Sequence, residues 1–207
     1  EKPLKIYFFT RTAEDTYTVS AMVEGNGTAI YRVDYVDLNG SGCKEVVVSW
    51  QMSTGVYLLG AYSLEEAMVR SLQYAASAPA GSASAQGLPD REALRATEWM
   101  TTVYDNYALY DLDQDTRTEL AVVRVDKAGT NSAVDLYGWR DGSFMVRASA
   151  PLSMGISSVE KNGVETNFLK EDGDVPVRAL YISSELADGH HVVDVVAYQD
   201  GNLKNLS

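Results

Sequence analysis

The sequence predicts a mainly β protein made of tandem antiparallel sheets, and three observations predict it. Thirteen tyrosines stand against four phenylalanines and three tryptophans, a bias that suits a half-buried pleated surface better than a helix. Short apolar runs are separated by turns rich in Gly, Asn and Asp along most of the 207 residues. A nine-residue stretch, Asp37-Leu38-Asn39-Gly40-Ser41-Gly42-Cys43-Lys44-Glu45, returns 74 residues later as Asp111-Leu112-Asp113-Gln114-Asp115-Thr116-Arg117-Thr118-Glu119. Self-similarity at a fixed period marks a modular architecture in which neighbouring units bury one another's faces.

Residues 1–27 read as an N-terminal hairpin, with strands at Leu4–Phe9 and Tyr17–Val23 around a turn at Thr12–Asp15. Residues 28–74 form the first repeat. Ala29–Val36 leads into the Asp37 loop, Glu45–Met52 leaves it, and Val56–Tyr62 follows the Ser53-Thr54-Gly55 turn. Residues 75–103 interrupt the pattern. Ala75–Gly87 is low-complexity and reads as a surface loop. Pro89-Asp90 then offers a helix start, and Ala93, Ala96, Met100 and Val103 recur at helical spacing behind it. The small helical insertion expected there competes with strand propensity at Trp99–Tyr104.

Residues 104–150 repeat the plan: Tyr107–Tyr110, the Asp111 loop, Glu119–Val125, a polar turn at Asp126–Ser132, and Val134–Trp139. The Asp141-Gly142 pair sets up a fourth strand at Ser143–Ala148. Residues 151–207 carry a third, degenerate copy, in which Ala179-Leu180-Tyr181 echoes Ala108-Leu109-Tyr110 and Asp194–Ala197 stands for Glu119–Val122. Its connecting loop, Ser183–Val193, is longer and lacks the alternating carboxylates. After the Asp200-Gly201 turn the pattern stops in mid-sheet, and the natural protein is expected to continue.

Lys and Arg total 17 against 29 Asp and Glu, a net charge of −12. Such a surface repels phosphate backbones, so nucleic acid is not an expected partner. The one cysteine, Cys43, rules out an internal disulfide. No apolar run approaches the roughly 20 residues of a membrane-spanning helix, and no signal-peptide pattern opens the chain at Glu1.

The two loops are the chemical candidates. Hard cations such as calcium take six to eight oxygens, and alternating acidic positions aim them at one point. Asp111, Asp113, Asp115 and Glu119 supply four carboxylates, with the Arg117 carbonyl at the main-chain place. Asp37 and Glu45, with neutral oxygens from Asn39 and Ser41 and the Cys43 carbonyl, form the charge-poor counterpart. Gly42 suits the sharp turn of the first loop, whereas Thr116 at the same place in the second resists positive φ. The same Asp and Asn spacing also makes metal-free turns that stabilise a hairpin.

Other candidates read as structure. His190 and His191 are adjacent, so on a strand they point to opposite faces and do not converge on one ion; a polar turn is the expectation. Cys43 has no histidine near it in sequence and reads as a buried or turn-facing thiol. Tyr57, Tyr62, Tyr137 and Trp139 would suit an aromatic platform for sugars or peptides, but core or cross-strand pairing is the commoner use of such residues. No nucleophile elbow, phosphate-binding glycine loop or zinc-protease motif is present.

The Asp-x-Asn-Gly-x-Gly-x-x-Glu stretch between strands resembles the FG-GAP/VCBS-type repeat of integrin-like β-propellers and bacterial surface proteins. With Thr28–Asp34 before the first loop and Leu203-Lys204-Asn205 near the end, the chain is similar to uncharacterised lipoproteins of gram-positive bacteria. The resemblance implies sheets like the blades of a propeller, complete or incomplete, and calcium on Asp37, Asn39, Ser41 and Glu45 and on Asp111, Asp113, Asp115 and Glu119. It implies a non-enzymatic module outside the cell, held to the membrane by a lipid anchor beyond this sequence and binding a surface protein or glycan. A purely structural spacer and a hydrolase with its site between sheets are the alternatives.

Overall fold

Short apolar strands joined by turns build the chain. The computed structural model describes residues 3–11, 16–25, 27–63, 97–128, 130–169 and 176–207, and every regular element in them is a β-strand. Strands β1 (Leu4–Arg11) and β2 (Tyr17–Gly25) form a two-stranded hairpin. Three four-stranded antiparallel sheets follow, each in chain order. The first contains β3 (Ala29–Val36), β4 (Glu45–Gln51), β5 (Tyr57–Ser63) and β6 (Thr97–Tyr104). The second contains β7 (Asn106–Tyr110), β8 (Glu119–Arg124), β9 (Ala133–Arg140) and β10 (Ser143–Pro151). The third contains β11 (Ile156–Leu169), β12 (Val177–Leu186), β13 (His191–Gln199) and β14 (Asn202–Asn205).

The chain divides into two compact units, residues 1–36 with 42–102, and residues 37–41 with 103–207. In the first, the inward face of the hairpin (Phe8, Ala21, Val23) packs on Val46, Val48, Trp50 and Tyr62. In the second, the β7–β10 and β11–β14 sheets share one core, in which Leu112, Val123, Leu136, Leu180, Ile182 and Val196 are all essentially inaccessible. Side chains also join these two sheets. The Tyr110 hydroxyl donates to the Val164 carbonyl (3.3 Å), and Asn205 Nδ2 donates to the Pro151 carbonyl (3.0 Å) and to buried Asp194 (2.7 Å).

Three expectations change. Residues 97–104 are strand, so Met100 and Val103 lie on β6 rather than on a helix, while Asp90, Ala93 and Ala96 lie outside the described residues. Trp99, Thr101, Thr102 and Val103 are aromatic or β-branched, and that preference prevails over a helical spacing of four apolar positions. The Ser183–Val193 stretch is not one long loop. β12 and β13 pair through Ser183↔Val193, Ser184↔Val192 and Glu185↔His191, leaving only a tight turn at Ala187–His190. Finally, the Asp200-Gly201 turn is followed by β14, which brings the third sheet to four strands. The Thr12–Asp15 turn and the Ala75–Gly87 stretch fall outside the described residues.

Candidate metal centre and its arginine neighbour

The loop between β7 and β8 is closed by the Tyr110↔Glu119 pair, and that between β3 and β4 by Val36↔Glu45. Both loops turn with positive φ at their fourth and sixth places: Gly40 (73°) and Gly42 (82°) in one, Gln114 (61°) and Thr116 (75°) in the other. Leu38 and Leu112, at the second place of each, are buried and pin the loops down. Thr116 therefore adopts the conformation its side chain disfavours, and the loop's own carboxylates hold it there. Its N–H donates to Asp111 Oδ2 (3.2 Å), Asp115 N–H donates to Asp113 Oδ1 (3.2 Å), and Arg117 N–H donates to Asp115 Oδ1 (2.8 Å). In the first loop Asp37 Oδ1 accepts from the N–H groups of Gly40 (2.7 Å) and Ser41 (3.1 Å), and Asn39 Oδ1 also accepts from Ser41 N–H (2.8 Å).

Among the described residues one group of acidic side chains converges: Asp111, Asp113 and Asp115 each bring a carboxylate oxygen within 4.8 Å of the others. Asp111 Oδ1 is buried and has no hydrogen-bond partner. An unsatisfied buried acceptor costs about 1–3 kcal/mol, and a cation at the centre of the three carboxylates would remove that cost. The donor set, carboxylates with the Arg117 carbonyl near by in sequence, is the hard-oxygen set that calcium takes. The first loop forms no comparable group. Its two acids are the half-buried Asp37 and Glu45, the latter buried at the start of β4; Asn39 is half-buried, and Ser41 and Cys43 are exposed.

Glu119 does not join the three aspartates. Its Oε2 accepts from Leu112 N–H (2.8 Å), and its Oε1 lies 3.5 Å from Arg147 Nη1. Burial is the main cause that pushes this carboxyl up to about 7; the Leu112 N–H opposes it, the charges of Asp113 and Asp115 add to it, and Arg147 opposes it.

Arg147 is the residue that sequence reasoning missed. A register shift between Val146 and Ala148 leaves it unpaired in the β9–β10 ladder, a bulge that re-aims its side chain. The guanidinium donates to Asp113 Oδ2 (2.9 Å) and to the Tyr198 hydroxyl (3.3 Å). Burial works against its charge, but the bonds to Asp113 and the attraction of Tyr198 and Glu119 outweigh that and hold its pKa above the usual value. Gly138 makes the route possible: a Cβ there would lie 2.6 Å from Arg147 Cδ and 3.4 Å from Glu119 Cγ. A glycine in mid-strand is the one signal in the sequence that a side chain crosses close by.

The remaining candidates take structural places. His190 sits in the β12–β13 turn and bonds Asp188 (3.1 Å); His191 opens β13 and bonds Glu160 (3.1 Å); both are exposed and apart from the acidic loop's partners. Tyr62 is buried and accepts from Trp50 Nε1 (3.3 Å), Tyr57 meets Tyr31 edge-on (5.2 Å), and Tyr137 stacks on Phe144 (6.2 Å). Trp139 is half-buried on β9. These aromatics form cross-strand pairs more than a platform.

Compared with protein-family models, curated proteins and solved structures, the chain matches none.

Proposed function

We propose that the protein is a non-enzymatic binding module of FG-GAP/VCBS-type repeats, stiffened by a divalent cation, calcium by preference, on Asp111, Asp113 and Asp115. The observation that carries the metal reading is the buried, partnerless Asp111 Oδ1 inside a converging carboxylate group. The repeat reading is supported by the 74-residue spacing and by the matched positive φ values of the two loops. Through the same resemblance, the module is displayed outside a gram-positive cell on a lipid anchor beyond this sequence, where it engages a protein or glycan. The first loop, with fewer charges, holds a cation more weakly or not at all, because ligand charge governs affinity.

One observation favours a second reading, a metal-free spacer. Arg147 already supplies a positive charge to Asp113 at 2.9 Å, and the Asp-to-amide bonds brace the loop without an ion. Thermal unfolding separates the two. Calcium at about a hundredfold excess over its Kd stabilises a single-site protein by about 2.7 kcal/mol, and that gain is expected to vanish in Asp111→Asn. Identical melting in calcium and in chelator overturns the cation and leaves the spacer.

A further inference from the structure

Beside the acidic loop, within residues 103–207, lies a cleft of about 600 Å³, inside the range of sites for small organic ligands. Leu112, Leu169, Val177 and Leu206 give it apolar walls; Tyr198 and Arg178 stand among them. Arg178 is half-buried and fixed in place: its Nη1 donates to the Asp111 carbonyl (3.0 Å), and its Cζ lies 5.1 Å from the centroid of the Phe168 ring. Arg32, Arg124 and Arg147 each face a carboxylate within 2.9 Å. Arg178 has no carboxylate within ion-pairing distance among the described residues, although the chain carries 29 acids against 17 bases. A guanidinium braced by a carbonyl and an aromatic face, with no counter-ion among the described residues, is prepared to bind an anion through its remaining N–H groups. Among the described residues two acids also line the cleft. Asp113 is neutralised by Arg147, and Asp200 is exposed in the β13–β14 turn.

We propose that this cleft binds a small organic carboxylate with an apolar body, its carboxylate on Arg178 and its body between Leu169, Val177, Leu206 and the Tyr198 ring. The site shares Asp113 and the Asp111 backbone with the acidic loop but needs no cation, and its test is made in chelator so that the two readings can fail separately. N-acetylphenylalanine is titrated into the whole chain by calorimetry, with its uncharged amide and with glucuronic acid as comparators. The acid is expected to bind saturably and at least about tenfold more tightly than the amide, the discrimination a charge-assisted hydrogen bond supplies. Glucuronic acid, which has the charge without the apolar body, is expected to bind more weakly than the acid. Arg178→Gln is expected to abolish the preference for the acid. Because Arg178 also steadies the loop, Leu206→Asp serves as a second variant: it leaves every bond of Arg178 intact, sets a negative charge at an exposed position on the wall, and is expected to weaken the acid at least about fivefold while sparing the amide. Equal binding of acid and amide overturns the proposal, as does a preference that survives both substitutions in chains that still melt cooperatively.

Discussion

Thr116 shows how much a single position can carry. At φ 75° its branched side chain crowds its own backbone, at a cost of about 1–2 kcal/mol, where Gly42 meets the same demand without a Cβ. The conflict is visible in the sequence, because the two copies differ there. Its resolution is not, since it depends on the Asp111 and Asp115 carboxylates folding back onto backbone N–H groups. Thr116→Gly is expected to raise stability by about 1 kcal/mol, the released strain less the extra chain entropy of glycine. The urea midpoint, read in chelator, checks this; a lowered midpoint would mean that the branched side chain contributes contacts worth more than the strain.

At the level of the strand, legibility divides along clear lines. Central strands such as β4 and β8 announce themselves by continuous apolar runs buried on both faces, and turns such as Asp141-Gly142 by residues that tolerate positive φ, here 49° and 81°. β6 was obscured because its apolar positions also fit a helical spacing. The extension of β12 and β13 was obscured because Ser183, Ser184 and Glu185 carry no apolar signal, and cross-strand pairing alone makes them strand. The β10 bulge leaves no local mark at all, and with it Arg147 escaped notice as part of the site. Gly138 is its counterpart on β9, and Gly138→Ala is expected to cost about 1–3 kcal/mol by overpacking. In an Arg147→Ala background the same change should cost much less, because the colliding side chain is gone. An equal cost in both backgrounds, measured by urea unfolding, would place the collision elsewhere.

Across the whole molecule, charge decides how stability follows pH. Glu119 is a raised acid, about 7 in the folded chain against 4.5 for the free side chain, so the folded state holds its proton more tightly. Its contribution is therefore complete below pH 4.5, declines as pH rises from there, and is exhausted above pH 7, a total of about 3 kcal/mol. Asp126 and Asp188, lowered chiefly by the backbone N–H groups of Ala128 and His190, act in the opposite sense at more acidic pH. Glu119→Gln is expected to remove the decline between pH 4.5 and 7 without altering the more acidic limb. Unfolding free energies across that interval, again in chelator, test it, and an unchanged slope would show that Glu119 is ionised when folded. The cleft is the least legible feature of all: Arg178 and Tyr198 lie on neighbouring strands of the third sheet and Leu206 just beyond its last strand, so strand pairing gathers them, and the β7–β8 loop adds Leu112 and Asp113 to the wall.

The bulge in β10 also settles how Arg147 can be altered. Before it, Met145 pairs with Gly138; after it, Ala148 and Ala150 pair with Leu136 and Val134 on that same face, so the odd-numbered series hands over to the even-numbered one at this point. Replacing Arg147 removes a charge and leaves the reading frame of the strand intact. Deleting it would close the bulge and leave both halves of β10 on the pairs they already make, but without the kink that aims a side chain at Asp113. The residue is at once a side chain and a spacer, and the two roles answer to different kinds of mutation.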